Sequence, residues 1–87
     1  MAKQVIKFYA NWCGPCKVYA PTFTKVKEEL QGEVDFKEVN IEEDPDNLSG
    51  EFKVRGIPHT VVLENGQVVQ QQSGRLSEEQ LKELILN

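Results

Sequence analysis

The chain has 87 residues, 39% of them hydrophobic and 28% charged, and carries a formal net charge of −4. That length can bury one hydrophobic core and no second one, so residues 1–87 read as a single globular domain. The acidic balance argues against a nucleic-acid partner, which would call for a basic face, and no apolar run approaches the ~20 residues needed to span a bilayer.

Met1-Ala2-Lys3-Gln4 passes almost at once into a strand pattern, which leaves no space for a secretory leader, and a cytoplasmic location is expected. The strand, Val5-Ile6-Lys7-Phe8-Tyr9-Ala10, is apolar with weak alternation, the pattern of a strand covered on both faces. Lys7 is the exception in it. Next comes Trp12-Cys13-Gly14-Pro15-Cys16-Lys17, which holds both cysteines of the chain. This spacing sets Cys13 at the N-terminal end of a helix and Cys16 one turn further in, close enough to close a small disulfide ring. Cys13 then sits among unpaired backbone N–H groups at the positive end of the helix dipole, which favours thiolate over thiol and makes it the expected nucleophile. Cys16 faces the body of the protein, should be less exposed, and is suited to resolving a mixed disulfide. Pro15 fits the first helical turn, where a missing N–H costs nothing; Gly14 lets a partner backbone approach, and Trp12 offers an apolar lid. A purely structural staple is disfavoured, because so short a loop removes little entropy from the unfolded chain.

From Pro15 to about Gln31, Tyr19, Phe23, Val26 and Leu30 mark one face of an amphipathic helix, with Pro21 expected to kink it and Gly32 to end it. Val34 to Ile41 reads as a second strand, parallel to the first because a helix joins them. Asp44 and Pro45 are placed as N-cap and first residue of a short helix with Leu48 and Phe52 on its apolar line, weakened by Gly50. Thr60–Glu64 and Gln67–Gln70 flank Asn65-Gly66, a two-residue type I′ hairpin signal. Ser77 and Gln80 form a capping box, and Leu76 with Leu81 a hydrophobic staple, for a final helix that buries Leu81, Leu84 and Ile85. The order is β-α-β-α-β-β-α, an α/β class with a four-stranded mixed sheet flanked by helices.

Phe8-Tyr9-Ala10-Asn11-Trp12-Cys13-Gly14-Pro15-Cys16-Lys17 resembles the active-site segment of thioredoxins. Val54-Arg55-Gly56-Ile57-Pro58 and Glu64-Asn65-Gly66 are further matches, and Pro21 matches a proline of the family's helix, so the likeness covers nearly the whole chain. The resemblance implies a minimal thioredoxin fold and a thiol–disulfide oxidoreductase that reduces protein disulfides, cycling between a Cys13/Cys16 dithiol and a Cys13–Cys16 disulfide. It implies a cis Ile57-Pro58 bond beside the cysteines, with Trp12, Ile57, Pro58, His59 and Gly74 at the substrate surface and Ile57 pairing through its main chain with the target. No cofactor of its own is implied. Disulfide-bearing proteins are the expected targets, a flavoprotein reductase or the glutathione system the electron donor, and a monomer the expected state.

Departures from the family are informative. Thioredoxins usually carry an aspartate where this chain has Lys7 and a lysine where it has Glu38, so the two charges are swapped. A facing Lys7–Glu38 pair would make both tolerable and could serve Cys16 as a reversed proton relay; alternatively Lys7 snorkels to solvent and water does the work. His59 stands where the family more often has threonine, either tuning the thiolate or as a partly exposed strand-end residue without a role. Two other functions stay open: a glutaredoxin-like, glutathione-coupled reductase, although Ser73-Gly74-Arg75-Leu76 lacks that family's acidic residue, and a non-catalytic clamp or metal module. In the latter, Cys13, Cys16 and His59 would hold zinc or, between two chains, an iron–sulfur cluster, with three ligands where a closed zinc site needs four.

Overall fold

The computed structural model describes residues 2–86, so the outermost residue at each end of the expected domain lies outside the described residues. The elements are β1 (Lys3–Tyr9), α1 (Gly14–Leu30), β2 (Asp35–Asn40), α2 (Leu48–Glu51), β3 (His59–Glu64), β4 (Gln67–Ser73) and α3 (Glu78–Leu86). They form a four-stranded sheet in the order β2-β1-β3-β4. β1 runs parallel to β2 and antiparallel to β3, and β3 is antiparallel to β4. The expected β-α-β-α-β-β-α order and mixed sheet are therefore what the chain adopts. Among the described residues no helix is long and apolar enough to cross a membrane.

β1 is apolar on both faces because it lies in the middle of the sheet with helices on either side. Val5 and Val62 pack with Tyr19, Phe23 and Val26 of α1 and Leu81 and Ile85 of α3. Ile6, Phe8, Val39, Val61 and Leu63 form the opposite layer, covered by Leu48, Phe52 and Val54. The periodicity of α1 thus marks the face it buries, with Leu30 only partly covered at its end. Asn65 and Gly66 both take positive φ, 53° and 84°, as a type I′ turn requires. In α3 the capping box closes in both directions: the Ser77 N–H donates to Gln80 Oε1 at 2.9 Å, and the Gln80 N–H to Ser77 Oγ at 3.1 Å.

One local expectation fails for an identifiable reason. The second helix does not start at Pro45. Asn47 is its N-cap with φ 52°, and Asp44 reaches forward so that its two carboxylate oxygens accept the N–H groups of Leu48 and Ser49 at 2.9 and 2.8 Å. Asp44 does cap the helix, but from across a turn closed by the Asn47 N–H on the Asp44 carbonyl. At Gly50 a Cβ would meet the end of the Asn47 side chain, which would have to swing aside. Gly32 follows the Gln31 C-cap and ends α1 as expected, without a left-handed φ; the N–H groups of Glu33 and Val34 both fold back onto the Leu30 carbonyl at 2.9 Å.

Tyr19 and Thr60 tie α1 to the sheet through a buried hydroxyl pair at 2.8 Å. Burial pushes the phenol up to about 12, against a smaller opposing effect of the Thr60 hydrogen bond. Because the folded value lies above the ordinary 10.0, stability from this group is complete below pH 10 and lost as pH rises toward 12. The loss should reach about 2–3 kcal/mol, read as a falling urea midpoint across that window. Lysines titrate there too, so the contribution is isolated as the difference in slope between the native chain and Tyr19→Phe, which should be shallower. Equal slopes would show that Tyr19 ionises in the folded state without penalty.

Candidate active site

The site forms where β1 leaves the sheet. After Ala10 the chain turns through Asn11 and Trp12, with the Cys13 N–H donating to the Ala10 carbonyl at 3.2 Å, and α1 begins. Cys13 is the N-cap of α1, with extended backbone (φ −87°, ψ 109°), and its Sγ accepts the Cys16 N–H at 3.1 Å. Gly14 and Pro15 supply the first two helical positions; Pro15 forfeits an N–H that would have had no partner. Cys13 and Cys16 are joined as a disulfide with Cα atoms 5.2 Å apart.

Both sulfur residues are buried among Ala10, Tyr9, Ile41 and Ile57, with exposures of 5% and 3%. The expected difference between an open Cys13 and a covered Cys16 is therefore small in the disulfide state. Trp12 is 64% exposed, so its indole lies open at the surface next to Cys13 in the chain. Gly14 leaves open space, with no atom within 4 Å of where a Cβ would stand.

The second segment comes from the loop before β3. The Ile57-Pro58 peptide is cis, and the Ile57 carbonyl oxygen lies 3.8 Å from Cys13 Sγ. Pro58 is fully buried and its carbonyl accepts the Gly74 N–H at 2.7 Å, while Gly74 itself takes φ 94°. Residues far apart in sequence are thus brought to one end of the sheet: Cys13 and Cys16, Ile57 and Pro58, and Gly74.

Lys7 and Glu38 face each other across the β1–β2 register, Nζ to Oε1 3.0 Å. Lys7 is 3% exposed, so it does not snorkel; its ammonium lies 4.9 Å from the Phe23 ring centre and 5.3 Å from that of Tyr9. Glu38 is 37% exposed and also reaches Lys27 at 3.8 Å. Lys7, Glu38, Tyr9, Ala10 and Cys16 line one cleft of about 220 Å³, which puts the ion pair and the second cysteine on the same small volume.

His59 is a correction. It is not a partly exposed strand-end residue: it is buried, with Nδ1 2.8 Å from Ser73 Oγ and Nε2 2.9 Å from Gln71 Oε1. Both ring nitrogens are engaged across the β3–β4 pair, so His59 does not converge with the cysteines as a metal ligand, and no group of three or more His, Cys, Asp or Glu suited to a metal occurs among the described residues. Sequence reasoning missed Ile41, Lys27, Gln71 and Ser73. Ile41 was within reach, since a parallel β1–β2 register that pairs Tyr9 with Asn40 carries the residue just after β2 toward the cysteines.

Comparison with known proteins agrees with this geometry. The thioredoxin family profile matches residues 1–87. A thioredoxin of Mycoplasmoides gallisepticum is 36% identical over 84 residues, covering 95% of this chain and 81% of that protein. A thioredoxin of Chlorobaculum thiosulfatiphilum is 30% identical over 81 residues, covering 93% and 74%. Among solved structures, a chain from work on the thiol resolving mechanism in yeast mitochondrial 1-Cys peroxiredoxin via glutathione/thioredoxin systems superposes with a TM-score of 0.87 at 33% identity, covering 98% of this chain and 77% of that one. With its two cysteines joined at the N-terminus of α1 beside a cis-proline, the chain belongs to the thioredoxin family and is a thiol–disulfide oxidoreductase.

Proposed function

We propose that this single domain reduces disulfides of other proteins, with Cys13 as nucleophile and Cys16 as resolving thiol. The observation that carries the assignment is Cys13 Sγ at the N-cap of α1, accepting the Cys16 N–H at 3.1 Å. A sulfur held there is favoured as thiolate by that donor and by the helix dipole. The Cys13 thiolate attacks one sulfur of the target disulfide, forming an S–S bond to it and expelling the other sulfur as a thiolate. Cys16 then loses its proton and attacks Cys13 Sγ; the Cys13–Cys16 disulfide forms and the target leaves fully reduced.

Supporting residues follow from position. Trp12, Gly14 and Ile57 border the attacking Cys13 sulfur, and Pro58 and Gly74 are tied together behind Ile57. An extended target segment pairs with the Ile57 main chain as an added strand. His59, bonded to Ser73 and Gln71, holds the start of β3 to the end of β4, a positioning role behind the substrate surface. The cleft shared by Cys16, Lys7 and Glu38 supports a reversed proton relay, in which Glu38 or neutral Lys7 accepts the Cys16 proton. The chemistry needs no cofactor on this chain. Electrons reach the Cys13–Cys16 disulfide from a thioredoxin-reductase-like flavoprotein, and the setting that fits a net reductant is the cytoplasm, with the protein acting as a monomer.

An equilibrium redox titration in dithiothreitol and glutathione buffers, following Trp12 fluorescence and alkylation mass shifts, tests the direction of this chemistry. A two-electron midpoint near about −270 mV, the value typical of thioredoxins, is expected. A midpoint at about −180 mV or above would replace the reductant by an oxidase or isomerase, and the lack of any reversible transition would overturn the assignment.

A further inference from the structure

Charges are not evenly distributed around the reactive sulfurs. Of the basic residues, Lys7, Lys25, Lys27 and Lys82 hold carboxylates, and Lys3 donates to the Ile85 carbonyl at 2.6 Å. Lys17, Lys37, Lys53, Arg55 and Arg75 are exposed and make no ion pair among the described residues. Lys37 lies within β2 and Lys53 just after α2, whereas Lys17, Arg55 and Arg75 belong to the segments that build the site. Lys17 follows Cys16 and lines the same cleft. Arg55 lies two residues before Ile57, whose carbonyl faces Cys13 Sγ, so the two Cα atoms are within about 7 Å of each other. Arg75 follows Gly74, which is bonded to Pro58, and it lines a hollow of about 300 Å³ with Val18 and Thr22 of α1.

Strand order fixes the sides. β1 delivers the cysteines from the middle of the sheet; β3 begins and β4 ends on one flank, and β2 ends on the other. The β3–β4 flank carries Arg55 and Arg75. The β2 flank runs into Glu42, Glu43 and Asp44, of which Asp44 is occupied with the N–H groups of α2. The mouth is therefore polarised, cationic on the side where Ile57 faces the sulfur with Pro58 and Gly74 tied together behind it.

Resting on the reductase reading above, we infer that the preferred targets are acidic polypeptide segments, whose attacked disulfide is flanked by carboxylates that meet Arg55 and Arg75. Arginine suits this task because its planar fork donates two parallel hydrogen bonds to a carboxylate. The inference runs against the net charge of the molecule: at −4 the whole chain should attract basic peptides, whereas the local flank should attract acidic ones. The sign of the preference separates the two.

Three disulfide-bridged peptides identical except for glutamate, glutamine or lysine flanks provide the test. Pre-reduced full-length protein is mixed with each, and the single-turnover rate constant is followed by Trp12 fluorescence. The glutamate peptide should react roughly tenfold faster than the lysine peptide at low ionic strength, and the ratio should approach one near 1 M salt, where the Debye length is about 3 Å. In an Arg55→Gln/Arg75→Gln variant the low-salt ratio should fall below about two. Equal rates in the native chain, a preference for lysine, or a ratio unchanged in the double variant overturns the inference while leaving the reductase reading intact. Failure to oxidise the protein with any of the three overturns both.

Discussion

Cys16→Ser is expected to leave a protein that still attacks a target disulfide and cannot let go. The Cys13 thiolate keeps its N-cap position and its N–H donor, since that donor is the backbone of residue 16 and not its side chain. The first exchange should therefore proceed, and the mixed disulfide should persist because no second sulfur lies within reach. Turnover should fall by at least about a thousandfold, with a covalent adduct to the target visible by mass spectrometry and removed by dithiothreitol. Cys13→Ser should lose turnover to the same degree and form no adduct, because Cys16 lies inside the first turn and lacks a place among the free N–H groups at the helix start. An adduct formed by Cys13→Ser, or near-native turnover by Cys16→Ser, would reverse the assigned roles. The adduct also has a use: the trapped partner reports which disulfides the site accepts.

How much of this is legible before folding depends on how local the cause is. Cys13, Gly14, Pro15 and Cys16 carry their geometry in four consecutive positions, because an N-cap followed by proline defines a helix start with little outside help. The Asn65-Gly66 turn and the Ser77/Gln80 capping box are local in the same sense. The start of α2 is not. Asp44 and Pro45 look like a cap and a first residue, yet the chain folds an extra turn between the carboxylate and the N–H groups it serves, a choice set by packing Leu48 and Phe52 under the sheet. His59 fails differently. Its neighbours in sequence give no hint of burial, because its partners Gln71 and Ser73 arrive from the next strand, and an irregularity opposite Val62 and Leu63, past the two-residue turn on β4, shifts their register. The Lys7–Glu38 pair lies between these cases: the swapped charges are visible as residue types, and only the parallel register shows that they face each other.

That pair also gives the sharpest asymmetry to test. A buried ammonium is tolerated while a carboxylate faces it, so the two members should respond in opposite ways to removal. Lys7→Met keeps the length of the side chain, lets it pack between the Tyr9 and Phe23 rings, and leaves Glu38, 37% exposed, in contact with water and Lys27. Its stability should be unchanged or higher. Glu38→Gln leaves the Lys7 charge buried without a counter-charge and should cost about 2–3 kcal/mol, below the ~3–5 kcal/mol of a fully buried pair because Glu38 itself is partly exposed. For a domain of this size that corresponds to a fall in Tm of roughly 10–20 °C. The double variant should recover most of the loss, and a double-mutant cycle would measure the coupling directly. Kinetics then separate support from chemistry. Compared at a temperature where every variant is folded, Glu38→Gln should slow release of the mixed disulfide by roughly a hundredfold if its carboxylate takes the Cys16 proton, whereas Lys7→Met keeps that acceptor and should stay near the native rate. Equal release rates and pH profiles for all three proteins would leave the pair a purely structural feature and pass the proton to water. A slow Lys7→Met with a normal Glu38→Gln would instead make the lysine the acceptor.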